Sequence, residues 1–285
     1  MNLRTAVENQ KTMQGFKNKV LIVSDIDGSL IDHPHWGNAT HEHRSLACKN
    51  LIELLKNHRV CLCTGRSRYY YESLQQSYAG ETVFPWCLVA EFGAEIFVEG
   101  ELFMAKPRDP CLIELEEELR SWAKGQGIPI DDDPSESSVE GICFEPKRQS
   151  LDIDWNFGEA GRDGCFMTEL SAFLEKSAQA SNLRYSCHPE MRRINVCSSG
   201  FLPKVSVWPE LRPLLGNPES LWVFGDEKVD VDMFHALKGI FSDSEARFVA
   251  THSRVKGDIN IDCGVETIGF IRNLLASAPG KTHKA

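Results

Sequence analysis

The sequence predicts an α/β protein with a doubly wound, mostly parallel core and an inserted α+β domain, and two observations carry this expectation. First, short apolar runs at residues 20–23, 60–63 and 221–224 each stop at a small polar cluster: Asp25-Ile26-Asp27-Gly28, Thr64-Gly65-Arg66-Ser67 and Gly225-Asp226. Runs that are apolar throughout read as strands buried on both faces of a parallel sheet. Second, Lys204 lies 140 positions (204 − 64) beyond Thr64. Connections inside an α/β unit usually span two to six residues, so a second domain must be inserted there.

The elements follow in order. Residues 20–24 form the first strand and lead into a loop carrying His33, His35, His41 and His43. Four histidines suggest zinc, but their spacing through Pro34 and Gly37 matches no common finger or His-x-x-x-His helix, which favours a solvated loop. His33, His35 or Trp36 could touch a leaving group, because the loop follows the first strand directly. Leu46, Leu51, Ile52 and Leu55 are spaced for a helix over 43–58. A strand at 60–63 precedes a helix at 67–78, then a strand at 83–90 and a hairpin at 96–103 broken by Glu99-Gly100. The inserted domain starts near Lys106-Pro107, with an amphipathic helix at 112–123, a polar turn-rich loop from Asp131, strands at 142–144 and 151–155, and a second helix at 166–178. The loop lacks EF-hand spacing and reads as exposed. Residues 194–197 then return the chain to the core, followed by a helix at 206–215, a strand at 221–224, a helix at 230–238, strands at 246–250 and 259–263, and a helix at 268–275. The expected division is a Rossmann-like core from 1–106 and 189–285, with the insertion at 107–188.

Composition narrows the function. The chain has 285 residues, a formal charge of −10 and a pI near 5.4. This argues against nucleic-acid binding, and no apolar stretch is long enough to span a membrane. The first 19 residues mix charges and lack an apolar core, so they do not resemble a secretory signal. The ten cysteines are scattered without zinc-type or Cys-x-x-Cys spacing. They read as free and structural, in a reduced, cytoplasmic setting.

Asp25 and Asp27 are two residues apart at a strand end, so they point the same way into the region where open α/β sheets bind ligands. Two carboxylates in one small site need a cation or a retained proton between them. The pair suits a divalent ion, one carboxylate serving as nucleophile and the other as acid or base. Asp and Gly after a strand are also ordinary turn residues. Thr64, Lys204, Asp226 and Asp230 add a hydroxyl, an ammonium and a second Asp pair, the parts of a magnesium-assisted phosphoryl-transfer site.

These four segments resemble, in order, the motifs of the haloacid dehalogenase superfamily of phosphohydrolases. Asp25-Ile-Asp-Gly-Ser-Leu is similar to the first motif, Thr64-Gly-Arg to the second, Lys204 to the third and Gly225-Asp-Glu-Lys-Val-Asp230 to the fourth. The position of the insertion resembles the branch with a large α+β cap that includes sucrose-phosphate phosphatase and related sugar phosphatases. Cys61-Leu-Cys-Thr-Gly-Arg-Ser and Ala90-Glu-Phe-Gly-Ala-Glu-Ile resemble the corresponding stretches of that group. Two positions depart from the branch: Val229 stands where Asn is usual, and Val205 where Gly usually follows the lysine.

The resemblance implies a magnesium-dependent phosphomonoester hydrolase acting on a sugar phosphate or similar small metabolite. Asp25 would be the nucleophile and Asp27 the acid and base. Thr64, Gly65, Arg66 and Lys204 would bind the phosphoryl group. Mg2+ would be held by Asp25, Asp27 (through its backbone carbonyl), Asp226 and Asp230. Lys147, Arg148, His188, Arg192 and Arg193 are the candidates for selecting the alcohol, while Trp122 and Trp155 are expected to pack. A phosphosugar mutase with the same aspartyl chemistry is one alternative, and a non-catalytic phosphometabolite-binding protein is another. The expected partner is a small phosphorylated substrate, with neither nucleic acid nor membrane, and the oligomeric state is left open.

Overall fold

The computed structural model describes residues 20–32, 40–131, 140–158, 160–189, 192–252 and 254–277. The loop histidines His33 and His35, with Trp36, lie outside the described residues.

The chain builds one large and one small sheet. β1 (Val20–Ser24), α1 (His41–Asn57), β2 (Cys61–Cys63), α2 (Arg68–Ala79) and β3 (Cys87–Ala90) lay down half of the large sheet. The hairpin β4 (Glu95–Val98) and β5 (Glu101–Ala105) extends its edge antiparallel to β3. The insertion follows as α3 (Pro110–Gly125), β6 (Ile130–Asp131), β7 (Gly141–Pro146), β8 (Ser150–Asn156), α4 (Ala160–Ser181), β9 (Leu183–His188) and β10 (Arg193–Ser198). The chain then returns through α5 (Trp208–Leu215), β11 (Ser220–Gly225), α6 (Lys228–Ile240), β12 (Glu245–Thr251), β13 (Ile259–Ile261) and α7 (Gly264–Ser277).

The large sheet has eight strands in the order β13-β12-β11-β1-β2-β3-β4-β5, parallel from β13 through β3. Order runs outward in both directions from β1 and β11, so their shared boundary is the switch point where such sheets bind ligands. The period-2 alternation of β1 sorts its side chains between two cores. Ile22 packs with Leu51, Leu54, Tyr71 and Ile268 under α1, α2 and α7. Leu21 and Val23 pack with Trp208, Leu211, Met233 and Leu237 under α5 and α6. Each fully buried aliphatic side chain there contributes roughly 1.5–3 kcal/mol. This is the doubly wound α/β core expected from the apolar runs.

The small sheet has five strands in the order β6-β7-β8-β10-β9. Its alternation is asymmetric. Ile142, Phe144, Leu151, Ile153, Trp155, Ile194 and Val196 pack against Leu115 and Leu119 of α3 and Leu170 and Leu174 of α4. Glu145, Asp152, Asp154, Arg193 and Asn195 occupy the alternate positions, on the opposite face. Trp122 stacks near Phe166 and Phe173, and Trp155 is buried, so both tryptophans pack as expected.

The expected boundary at 188/189 needs correction. β10 pairs antiparallel with β9 throughout its length and with β8 over Arg193–Cys197, so residues 193–198 belong to the small sheet and not to the returning core. The return begins after Ser198. The strand expected over 83–90 is confined to Cys87–Ala90, preceded by Pro85, which has no N–H to give a ladder. All ten cysteines are free. Among the described residues no helix is long and apolar enough to cross a membrane.

Candidate active site

Three adjacent parallel strands end together. β1 delivers Asp25, β2 delivers Thr64, and β11 delivers Gly225 and Asp226, each at or one step beyond its last residue. Asp25 N–H donates to the Phe224 carbonyl at 3.0 Å, which continues the β1–β11 ladder into the site. The chain then turns tightly: Ser29, Leu30 and Ile31 N–H all donate to the Ile26 carbonyl, and Gly28 takes φ +81°. Glycine adopts that left-handed conformation without the steric cost of a Cβ.

A charged cluster sits at the centre. Lys204 Nζ donates to Asp25 Oδ1 at 2.6 Å and to Asp230 Oδ1 at 2.8 Å, and all three side chains are buried. Asp230, at the third position of α6, accepts with Oδ2 from Asp226 N–H at 3.1 Å and Glu227 N–H at 3.0 Å. Both of its oxygens are therefore engaged, one by Lys204 and one by the start of α6. A glycine is required beside it, because a Cβ on Gly225 would lie 2.1 Å from Asp230 Cβ. Asp226 differs: its Oδ1 is buried with no hydrogen-bond partner. Carboxylate oxygens of Asp25, Asp226 and Asp230 lie within 4.8 Å of one another.

One ammonium cannot neutralise three buried carboxylates. Burial pushes the Asp25 carboxyl up to about 8; the Lys204 ammonium opposes the rise, and Asp230 and Asp27 reinforce it. Asp226 is raised well above the ordinary carboxylate range by burial, then by Asp230 and Asp25. An all-oxygen anionic set, one oxygen of it buried without a donor, fits a hard divalent cation such as Mg2+.

The remaining expected residues surround this cluster. Thr64 is buried; its N–H donates to the Val89 carbonyl at 2.8 Å and its Oγ1 accepts from Arg66 N–H at 3.1 Å. Asp27 does not join the three-carboxylate group. It lies 3.4 Å from Arg66 Nε and accepts from the Tyr70 hydroxyl at 3.3 Å, while Arg66 stacks over the Tyr70 ring. A cavity of about 90 Å3 is lined by Asp25, Asp27, Thr64, Gly65, Arg66 and Lys204, with Asp226 on its wall. All the residues expected in the site, apart from Asp230 behind Lys204, line this one space.

The small sheet closes the cavity from the other side. Asp152, His188, Arg193 and Asn195 also line it. Glu145 crosses between the sheets: it accepts from Arg66 Nη1 at 3.1 Å and from Ser67 N–H at 3.0 Å. Burial alone would raise the Glu145 carboxyl, but the Lys147 ammonium and the Arg66 guanidinium hold it down at about 2. A folded value this low stabilises the protein above the unfolded value of 4.5, and the contribution is lost as pH falls toward 2. Glu145→Gln leaves two buried cations short of an anion, so we expect a loss of about 3–5 kcal/mol at neutral pH. Urea denaturation measures it, and an unchanged midpoint would contradict the buried bridge.

Several candidates for selecting the alcohol are occupied elsewhere. Lys147 is buried between Asp152 at 2.5 Å and Glu145 at 3.4 Å. Arg148 fastens the insertion to the core through Glu95 at 2.6 Å and the Lys106 carbonyl at 3.1 Å. Arg192 pairs with Asp163 at 3.0 Å, and Arg193 is bidentate to Asp154 at 2.6 and 2.8 Å. Of the five candidates, Arg193 and His188 line the cavity, and Arg193 is already paired.

Phe92 was not anticipated from sequence. Its N–H donates to the Thr64 carbonyl and its carbonyl accepts from Lys204 N–H, both at 2.9 Å, so it joins two of the motif loops. Glu91, Phe92 and Lys204 take φ values of +51°, +57° and +57°. For residues with a Cβ this costs on the order of 1 kcal/mol each, and such strain concentrates at functional sites.

Residues 22–110 match the haloacid dehalogenase-like hydrolase family. No curated protein matches the chain. Among solved structures, the C-terminal domain of Candida albicans trehalose-6-phosphate phosphatase superposes with a TM-score of 0.59 at 17% identity, covering 98% of this chain and 97% of that one. A trehalose-6-phosphate phosphatase related protein gives 0.58 at 14% identity, covering 90% and 97%. A haloacid dehalogenase-like hydrolase from Bacteroides thetaiotaomicron gives 0.54 at 16% identity, covering 88% and 98%. Likeness at this identity is likeness of fold. The matched segment holds Asp25, Asp27 and Thr64, and the fold is shared with these structures over nearly the whole chain.

Proposed function

We propose that this protein is a magnesium-dependent phosphatase acting on a sugar phosphate or similar small phosphomonoester through a phosphoaspartyl intermediate. The observation that carries this reading is the Lys204 bridge between Asp25 and Asp230, with the unpartnered Asp226 oxygen beside it at the switch point of the sheet. The fold shared with trehalose-6-phosphate phosphatases and the placement of the small sheet over the site, as a cap, support it.

Asp25 attacks phosphorus in line, forming a new O–P bond as the bond to the alcohol oxygen breaks. Asp27 gives that oxygen its proton. It then takes a proton from the water that attacks the aspartyl phosphate, which returns Asp25 and releases inorganic phosphate. Thr64 and Lys204 face the phosphoryl oxygens and stabilise their charge. Arg66 and Tyr70 hold the Asp27 carboxyl toward the cavity. Asp25 and Asp226 would hold the Mg2+, with the Asp27 backbone carbonyl; Asp230, saturated by Lys204 and two N–H groups, orients the set. The ion supplies charge neutralisation between phosphate and carboxylates, which lets Asp25 ionise at neutral pH.

Phosphate release from a panel of sugar phosphates, glycosyl phosphates and nucleotides, with magnesium and with EDTA, tests the proposal. The expected result is magnesium-dependent release concentrated in one sugar class. Equal release in EDTA, or none from any ester, would sink it.

A further inference from the structure

A second chamber, about 540 Å3, adjoins the 90 Å3 cavity. Phe92, His188, Asn195, Asp226, Glu227 and Val229 line both spaces. The small cavity has room for a phosphoryl group and little else, so an ester bound there must place its alcohol in the larger one.

We propose that Phe92 is the specificity-determining residue of this chamber, presenting its ring to the apolar face of a cyclic sugar alcohol. The inference rests on the phosphatase reading and names its substrate class as ring sugar monophosphates, selected over acyclic ones. The Phe92 ring is wedged tightly: a Cβ on Gly65 would meet its Cζ at 2.4 Å, and on another side it packs with Ala94, Cys197 and Phe201. Its backbone is pinned to Thr64 and Lys204, so the ring stands at a set distance from the phosphate cavity. A strained backbone at a large aromatic residue is costly to keep, and the cost is understandable where that ring meets substrate.

The chamber pairs this ring with a polar edge. Asn195 gives one N–H to Asp152 Oδ1 and accepts from Cys197 Sγ at 2.8 Å, which fixes its amide plane. The amide carries a second N–H. His188, 3.2 Å from the Ser186 hydroxyl, adds a group able to donate or accept. An aromatic surface beside fixed hydrogen-bonding groups matches a sugar ring, whose C–H face is apolar and whose hydroxyls lie at its rim. A flexible acyclic alcohol offers no such face and loses more entropy on binding.

The test uses the full chain carrying Asp25→Asn, so that bound esters are not consumed, with magnesium present. Calorimetry measures the binding of glucose 6-phosphate, fructose 6-phosphate, trehalose 6-phosphate, glycerol 1-phosphate and inorganic phosphate. At least one ring ester should bind about tenfold or more tightly than glycerol 1-phosphate, and adding Phe92→Leu should erase that gap while inorganic phosphate shifts less than about twofold. Leucine meets the same backbone strain and remains apolar, so it removes the flat ring alone. Absence of the gap in Asp25→Asn itself overturns the proposal, whether or not the double variant folds. An equal loss for inorganic phosphate also overturns it, since the ring would then only brace Thr64 and Lys204. Phosphate release from the same esters by the wild type reports separately on the phosphatase reading. Preference without release refutes hydrolysis and keeps the subsite; release without preference does the reverse.

Discussion

Asp25→Asn should lower turnover on the order of 10⁴-fold, about 5.5 kcal/mol of barrier, because an amide oxygen cannot displace the alcohol to form a stable acyl phosphate. The substitution is nearly isosteric, and its oxygen still accepts from Lys204, which now donates to Asp25 at 2.6 Å. The fold should therefore survive. Indeed the magnesium-free variant should melt higher than wild type at pH 8, since one of three buried carboxylates around a single ammonium is gone. Intact mass after acid quench gives a second readout: wild type in steady state should carry a phosphoryl group, and the variant none. Retention of more than a few per cent of turnover would end the case for Asp25 as nucleophile.

Much of this site was legible because its residues follow strand ends. An apolar run marks a buried strand, and the polar residue after it is at the sheet's carboxyl edge; Asp25, Thr64 and Asp226 were found that way. Sheet membership was not legible to the same degree. Arg193-Ile-Asn-Val looked like the return to the core because Lys204 follows it, yet its partners are Ser150–Asn156 and Leu183–His188. Pairing is decided by distant segments, and nothing local distinguishes the two sheets. The polar face of the small sheet did leave a trace. In Leu151-Asp-Ile-Asp-Trp155 the acids alternate with core residues, and Asp152, buried, and Asp154, half-buried, make ionic contacts on the side facing the site. A strictly alternating strand whose polar members are acidic needs cationic partners, and Lys147 and Arg193 supply them. Phe92 lay within the stretch Ala90–Ile96 that resembled the sugar phosphatases, but its own role was not legible, because a positive φ at a residue other than glycine cannot be read from its identity.

Lys204→Met should strongly destabilise the magnesium-free protein, and its effect should depend on pH in a defined direction. The methionine keeps most of the side chain's length and removes the ammonium that reaches Asp25 at 2.6 Å and Asp230 at 2.8 Å. Breaking a buried pair by deleting one partner costs about 3–5 kcal/mol. The cost is largest when the carboxylates are ionised. Asp25 is already raised from 3.8 to about 8 by burial, with Lys204 opposing, so it binds more protons folded than unfolded between those values. A raised folded value means that its stability contribution is complete below about pH 4 and is lost as pH climbs toward 8. Magnesium-free wild type should therefore lose stability between pH 5 and 8, by on the order of a few kcal/mol. Lys204→Met, with nothing left to oppose the rise, should lose more over the same interval. Magnesium should reverse the trend in wild type, because it binds the deprotonated cluster; its affinity should rise with pH and its binding should release protons. Urea midpoints at pH 5 and 8, with and without magnesium, read all of this. A Lys204→Met penalty equal at both pH values would mean that the carboxylates do not hold a proton in the metal-free protein, and the charge balance drawn for this site would be wrong.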